Sequence, residues 1–162
     1  MTEIERVDAI EQIRLLKARY FRFVDTKAWD AFEALFTPDA RLSIAEARPE
    51  PFTPRELTDL LRAHYGRCVT VHHGYMPEIE VEEPDRAAGI WAMDDQRYFT
   101  ADDPSAPFAS AVGSGHYHET YVRTAAGWRI ASLRLTRLRL EMQPLTTVGD
   151  RTGEPKPDGG RA

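Results

Sequence analysis

Apolar side chains recur at steps of three and four over residues 3–24, at Ile4, Val7, Ile10, Ile13, Leu16, Tyr20 and Phe23. That spacing predicts a long amphipathic helix. The segment TKAWDAFEALF, 26–36, carries the pattern on through Trp29, Phe32, Leu35 and Phe36 and predicts a second helix. Thr37-Pro38 should stop it, because proline steers the residue before it out of the helical region. Thr53-Pro54-Arg55-Glu56 reads as a capping box with proline at the first helical position. It opens a third helix carrying Leu57, Leu60, Leu61 and Tyr65, and Gly66 ends it.

Beyond Gly66 the period changes. CVTVHHGYMPEIEVEE and RAAGIWAMDDQRYFT are extended runs joined at Glu83-Pro84-Asp85, a turn sequence. FASAVGSGHYHETYVRT and GWRIASLRLTRLRLEM form a second pair joined at Ala125-Ala126-Gly127. ARLSI, 40–44, is a short fifth strand, and DDPSAP, 102–107, is a polar connection. From Pro144 the chain is poor in large apolar residues and rich in proline and glycine, so 1–143 is the predicted domain and 144–162 a predicted disordered tail. Helices first and a mostly antiparallel sheet afterwards predict an α+β domain. Its expected form is a cone-shaped barrel, with three N-terminal helices packed on a curved sheet. Such a cone leaves a cavity suited to a small molecule.

Composition narrows the partners. The chain is 42% hydrophobic and 29% charged, with a formal charge of −5, and no basic stripe is dense enough to follow phosphates. Arg129, Arg134, Arg137 and Arg139 cluster late but read as a solvated strand face. Cys68 is the single cysteine, so there is no internal disulfide and no multi-thiolate metal site. No apolar run reaches the roughly 20 residues of a membrane span, and the charged start MTEIERVDAIE is not a signal peptide, which predicts a cytoplasmic protein. No nucleic acid, membrane, metal or cofactor is expected.

The candidate chemistry begins at TVHHGY, 70–75. Neighbours on a strand face opposite ways, so one of His72 and His73 looks inward and the other outward. Alternation groups His73 with Val69 and Val71, and His72 with Cys68 and Thr70. By apolarity alone His73 would be the buried one.

Five stretches carry a family resemblance: Tyr20-(x)4-Asp25, AWDAFEALFTPDA (28–40), TVHHG, DDQRYF, and YHETYVRTAAGWRIASLRL. Together they resemble the nuclear transport factor 2-like superfamily over residues 3–142. More narrowly they resemble its SnoaL-like branch, which includes scytalone dehydratase, bile-acid 7α-dehydratase and the hexachlorocyclohexane dehydrochlorinase. The resemblance implies a base, His72, held by Asp25, with Tyr20 sharing the cavity. It also implies an acid on the second long strand, at Asp94 or Asp95, with the alignment favouring Asp95. A carboxyl buried there would have a raised pKa and could protonate a departing hydroxyl. Tyr117, Glu119 and Tyr121 would line the same cavity, and Trp91, Trp29 and His73 are the remaining candidate substrate contacts.

Plainer roles are available for each. Asp25-Thr26 could cap the second helix, Asp94-Asp95 could be a solvated strand end, and the tyrosines could be core. His116 and His118 fall opposite Tyr117 and read as exposed. The expected function is a cofactor-independent lyase of dehydratase type acting on a hydrophobic cyclic small molecule. The alternatives are an isomerase or polyketide-type cyclase using the same base, and a non-catalytic binding module. A homodimer through the outer sheet face is implied by the resemblance.

Overall fold

Five strands form one curved sheet, and three helices pack over its inner face. The computed structural model describes residues 1–100 and 106–145. The elements are α1 (Glu3–Asp25), α2 (Trp29–Glu33), β1 (Phe36–Ile44), α3 (Pro54–Tyr65), β2 (Cys68–Glu83), β3 (Arg86–Phe99), β4 (Ser110–Thr124) and β5 (Gly127–Gln143). The strand order is β1-β5-β4-β3-β2, with β1 parallel to β5 and the other three pairings antiparallel. The fold is the expected α+β cone, with one correction. The sheet stays open between its edge strands β1 and β2 rather than closing into a barrel.

The helix starts follow their sequence signals. Thr2 and Thr53 each accept from the backbone of the glutamate three residues on, and that glutamate bonds back, completing two capping boxes. α2 is shorter than its apolar pattern predicts. The Leu35 carbonyl accepts from the Ile130 amide at 3.0 Å, and this pulls the chain into the sheet before a further helical turn can form. β1 therefore starts at Phe36 instead of residue 40 and carries Pro38, which an edge strand tolerates because no ladder bond is lost on its open side. Of the predicted tail, residues 146–162 lie outside the described residues, as do 102–105 of the predicted polar connection.

The core is one cluster running from Ala9, Ile13 and Leu16 through Phe32, Phe36 and Leu42 to Trp91, Tyr121 and Leu133. Gly74 sets how closely α1 can approach β2. A Cβ there would come within 2.5 Å of the Phe21 ring, so only glycine lets the helix lie flat against the strand. Irregular register between Tyr75 and Glu78 then changes the inward set from Thr70, His72 and Gly74 to Ile79 and Val81.

Candidate active site

α1 ends at Asp25, and the manner of its ending aims the carboxylate. Lys27 takes the left-handed conformation at φ 60°, a position where glycine is usual. The Lys27 amide bonds back to Val24 O at 3.2 Å and the Ala28 amide to Phe23 O at 2.9 Å, a Schellman closure. The chain reverses sharply, and the carboxylate of Asp25, the last residue of α1, turns toward β2. The N-cap of α2 is Ala28, with no side-chain bond, so capping is not what Asp25 does.

The Asp25 carboxylate is met by β2. His72 Nδ1 lies 2.7 Å from Oδ1, the His72 amide donates to Oδ2 at 3.0 Å, and the Thr70 hydroxyl donates to Oδ1 at 3.0 Å. Lys27 Nζ in turn donates to the Thr70 oxygen at 2.7 Å. Burial alone would raise the Asp25 carboxyl, but the bonds from the His72 ring and amide and from the Thr70 hydroxyl together hold it below its ordinary value. A carboxylate can only accept, so Nδ1 is the ring nitrogen that carries hydrogen. That leaves Nε2 with its lone pair and, among the described residues, no hydrogen-bond partner.

His72 is also a wall of a pocket of about 290 Å³, near the lower end of small-molecule sites. Val24, Ile44, Leu57, Leu60, Leu61, Phe99, Phe108 and Leu135 make its walls mostly apolar. Tyr20 and Tyr117 line it as well, their rings 5.8 Å apart and edge to face. Burial pushes both phenols above their ordinary range, so they are neutral hydroxyls that can donate.

The histidine pair divides as strand geometry requires, and apolarity pointed to the wrong member. His72 has 8% of its side chain exposed, whereas His73 is 53% exposed and bonds Asp94 at 2.9 Å on the outer face, where Tyr75 also donates to Asp94 at 2.6 Å. His73 thus does not line the pocket, and Val69 beside it is 60% exposed.

Asp95 faces inward and is buried, but it is not arranged as an acid. Arg137 brackets it with Nη1 and Nη2, the latter at 3.3 Å from Oδ2, and Arg97 Nε stands 3.4 Å from Oδ2. Both oxygens are acceptors in an ion pair and no hydroxyl is offered to a leaving group. Gly113 makes room for this pair, since a Cβ there would come within 2.6 Å of Asp95 Oδ1. Arg137 also gives Nε to Glu46 at 2.7 Å. The expectation that it lies on a solvated strand face is therefore corrected. Irregular pairing at Thr120/Tyr121 turns the inward set of β5 from Trp128 and Ile130 to Leu133, Leu135 and Arg137.

Glu119, Tyr121, Trp91 and Trp29 do not line the pocket. Glu119 lies deeper and pairs with Lys17, both side chains fully buried. Tyr121 donates to Glu119 at 2.5 Å and receives from Trp91 Nε1 at 2.8 Å. Trp29 stands beside the Lys27 ammonium, 5.9 Å from its ring centre. The Lys17 ammonium sits over the Tyr20 and Tyr117 rings at 3.9 and 3.8 Å. Burial lowers its pKa against the opposing pull of Glu119. Lys17 and Arg97 were not singled out by sequence reasoning, and Arg137 was named there only as part of a solvated strand face. Lys17 had a signal, falling four residues after Ile13 and three before Tyr20 on the apolar stripe.

Among the described residues no group of three or more His, Cys, Asp and Glu side chains is placed to hold a metal ion, and no helix is long and apolar enough to cross a membrane. The profile of the SnoaL-like domain family matches residues 5–134. The "Probable cyclase FGR4" of Gibberella zeae is 26% identical over 141 residues, 81% of this chain and 92% of that protein. A Novosphingobium aromaticivorans structure named for scytalone dehydratase superposes with a TM-score of 0.76 at 17% identity, covering 90% of this chain and 99% of that one. The hexachlorocyclohexane dehydrochlorinase LinA-type3 of Novosphingobium barchaimii gives 0.73 at 16% identity, covering 87% and 94%.

Proposed function

The chain belongs to the SnoaL-like domain family, and on that footing we propose that it is a cofactor-independent lyase. It would catalyse a dehydratase-type β-elimination on a hydrophobic cyclic small molecule held in the pocket behind His72. The observation that carries this reading is the 2.7 Å contact between His72 Nδ1 and Asp25, which leaves Nε2 as the ring nitrogen able to take a proton.

In this scheme Nε2 removes a proton from carbon, and the C–H electron pair forms the new double bond as the β-substituent leaves. Asp25 stabilises the imidazolium that results and keeps the ring in place. A departing hydroxide takes a proton from the Tyr20 hydroxyl and leaves as water, and the imidazolium proton restores the phenol. Asp95 has no part in that transfer; with Arg137 it forms a polar wall. The apolar lining supports a ring-bearing substrate, because burial of hydrocarbon is its main source of affinity.

Cyclisation or isomerisation by the same base is the second reading, and the likeness to the cyclase of Gibberella zeae favours it. There the proton is returned to another carbon or the carbanion closes a ring, and nothing is lost. Mass spectrometry of products from a panel of hydroxylated cyclic ketones separates the two. Loss of one water supports elimination, an unchanged mass with a new structure supports cyclisation or isomerisation, and no His72-dependent product sinks both.

A second copy of the chain over the outer sheet face completes the proposal. Val69, Ile90, Tyr98 and Val112 stand exposed there, and sedimentation of the intact protein tests it.

A further inference from the structure

Arg97 stands two residues beyond Asp95 on the inward side of β3 and forms part of the pocket wall. Its side chain is 12% exposed. A guanidinium has five N–H donors in a planar fork, and this one uses little of that capacity. Nη1 donates to the Tyr65 hydroxyl at 3.4 Å, a long bond to a neutral acceptor. Nε and Nη2 are buried with no hydrogen-bond partner among the described residues.

The neighbouring carboxylates meet only part of this deficit: Arg97 Nε stands 3.4 Å from Asp95 Oδ2, a charge contact that lacks hydrogen-bond geometry. Asp95 gives its two oxygens to the fork of Arg137, and Glu46 takes the remaining edge of that same guanidinium. One arginine thus hydrogen-bonds two carboxylates, while the other keeps only the longer charge contact with Asp95 and has buried N–H groups to spare in a mostly apolar cavity. Buried donors without acceptors are costly, and each such group calls for an explanation. Across the opening the guanidinium carbon stands 6.0 Å from the centre of the Phe108 ring, so a flat aromatic surface borders the same space.

We propose that Arg97 is the specificity-determining residue of the pocket, and that it docks an oxygen acceptor carried on a planar apolar ring, either a ketone carbonyl or a carboxylate. The inference rests on reading the pocket as a substrate site and names what that substrate must carry. The ring is selected by the apolar walls and the oxygen by the unused donors of Arg97. Ring compounds without an acceptor oxygen leave those donors unmet and are poor ligands.

The test is calorimetric titration of the full-length protein with naphthoate, acetylnaphthalene and ethylnaphthalene, which share a ring and differ in the oxygen they offer. At least one oxygen-bearing probe should bind roughly tenfold or more tightly than ethylnaphthalene. The order of the two then tells carboxylate from carbonyl. In Arg97→Met this advantage should disappear, and Asp95 keeps Arg137 as a partner so that the wall is still supported. Arg97→Lys is the second variant. It keeps the charge but loses the planar fork, and it should reduce the advantage.

Equal binding of the three probes, no binding by any of them, an advantage that survives in Arg97→Met, or one left undiminished in Arg97→Lys would overturn the assignment. Titration reads binding alone. A failed acceptor preference therefore removes the role of Arg97 and leaves proton removal by His72 standing, while a failed turnover assay does the reverse.

Discussion

His72 Nδ1 and Asp25 Oδ1 meet at 2.7 Å across the joint between the end of α1 and the start of β2. The contact is made by two elements and not by a loop. The Schellman closure through Lys27 points the carboxylate, and the strand points the ring. Removing the ring by His72→Ala should lower turnover by roughly 10²–10⁴-fold, the usual worth of a positioned general base. Asp25→Asn should also lower turnover while leaving the far-ultraviolet circular dichroism unchanged. Full activity in either variant would contradict the scheme.

The same contact makes stability depend on acid. The Asp25 carboxyl is held below its ordinary value in the folded protein, whereas the unfolded chain titrates at about 3.9. The pair therefore contributes stability above the unfolded value and loses it as pH falls through the folded one. Urea midpoints followed from neutral pH downward should show the gap between wild type and Asp25→Asn closing in acid. A gap that widens as pH falls would show the sign to be wrong.

Lys17 and Glu119 are fully buried against each other beneath Tyr20 and Tyr117. Breaking the pair by Lys17→Met leaves an uncompensated carboxylate and should cost about 3–5 kcal/mol by chemical denaturation. Combining it with Glu119→Gln should recover part of that loss, since an amide carbonyl there still accepts from Tyr121. A double variant less stable than Lys17→Met alone would contradict this account.

Gly74 couples packing to the site. Gly74→Ala places a methyl within 2.5 Å of the Phe21 ring, which should push α1 away from β2 and cost about 1–3 kcal/mol. Asp25 rides on that helix, so turnover should fall more than the loss of folded protein explains. A stable variant with unaltered turnover would show that the joint tolerates the shift.

Much of this was legible in the sequence because it rests on local rules. The capping box at Thr53, the turn at Pro84 and the steps of three and four in α1 depend on residues a few positions apart, and each element formed where its signal lay. What escaped depends on contacts between distant segments. Val69 beside His73 misled because an apolar residue on an outer sheet face obeys the same alternation as one in the core. Arg137 reaches Asp95 only because β5 changes its inward set part-way along, and nothing near Arg137 in the sequence signals that irregularity. The resemblance placed Asp95 on the correct face, but its guanidinium partner lies 42 residues away and turns an expected acid into half of an ion pair.

The account turns on which ring nitrogen of His72 carries hydrogen. Nitrogen-15 NMR of the imidazole, in the intact protein at neutral pH and without ligand, reads this directly. The neutral ring should be the Nδ1–H tautomer, with Nε2 unprotonated, and Asp25→Asn should erode that preference. A ring found as the Nε2–H tautomer would have its lone pair turned toward Asp25, and His72 could not be the base.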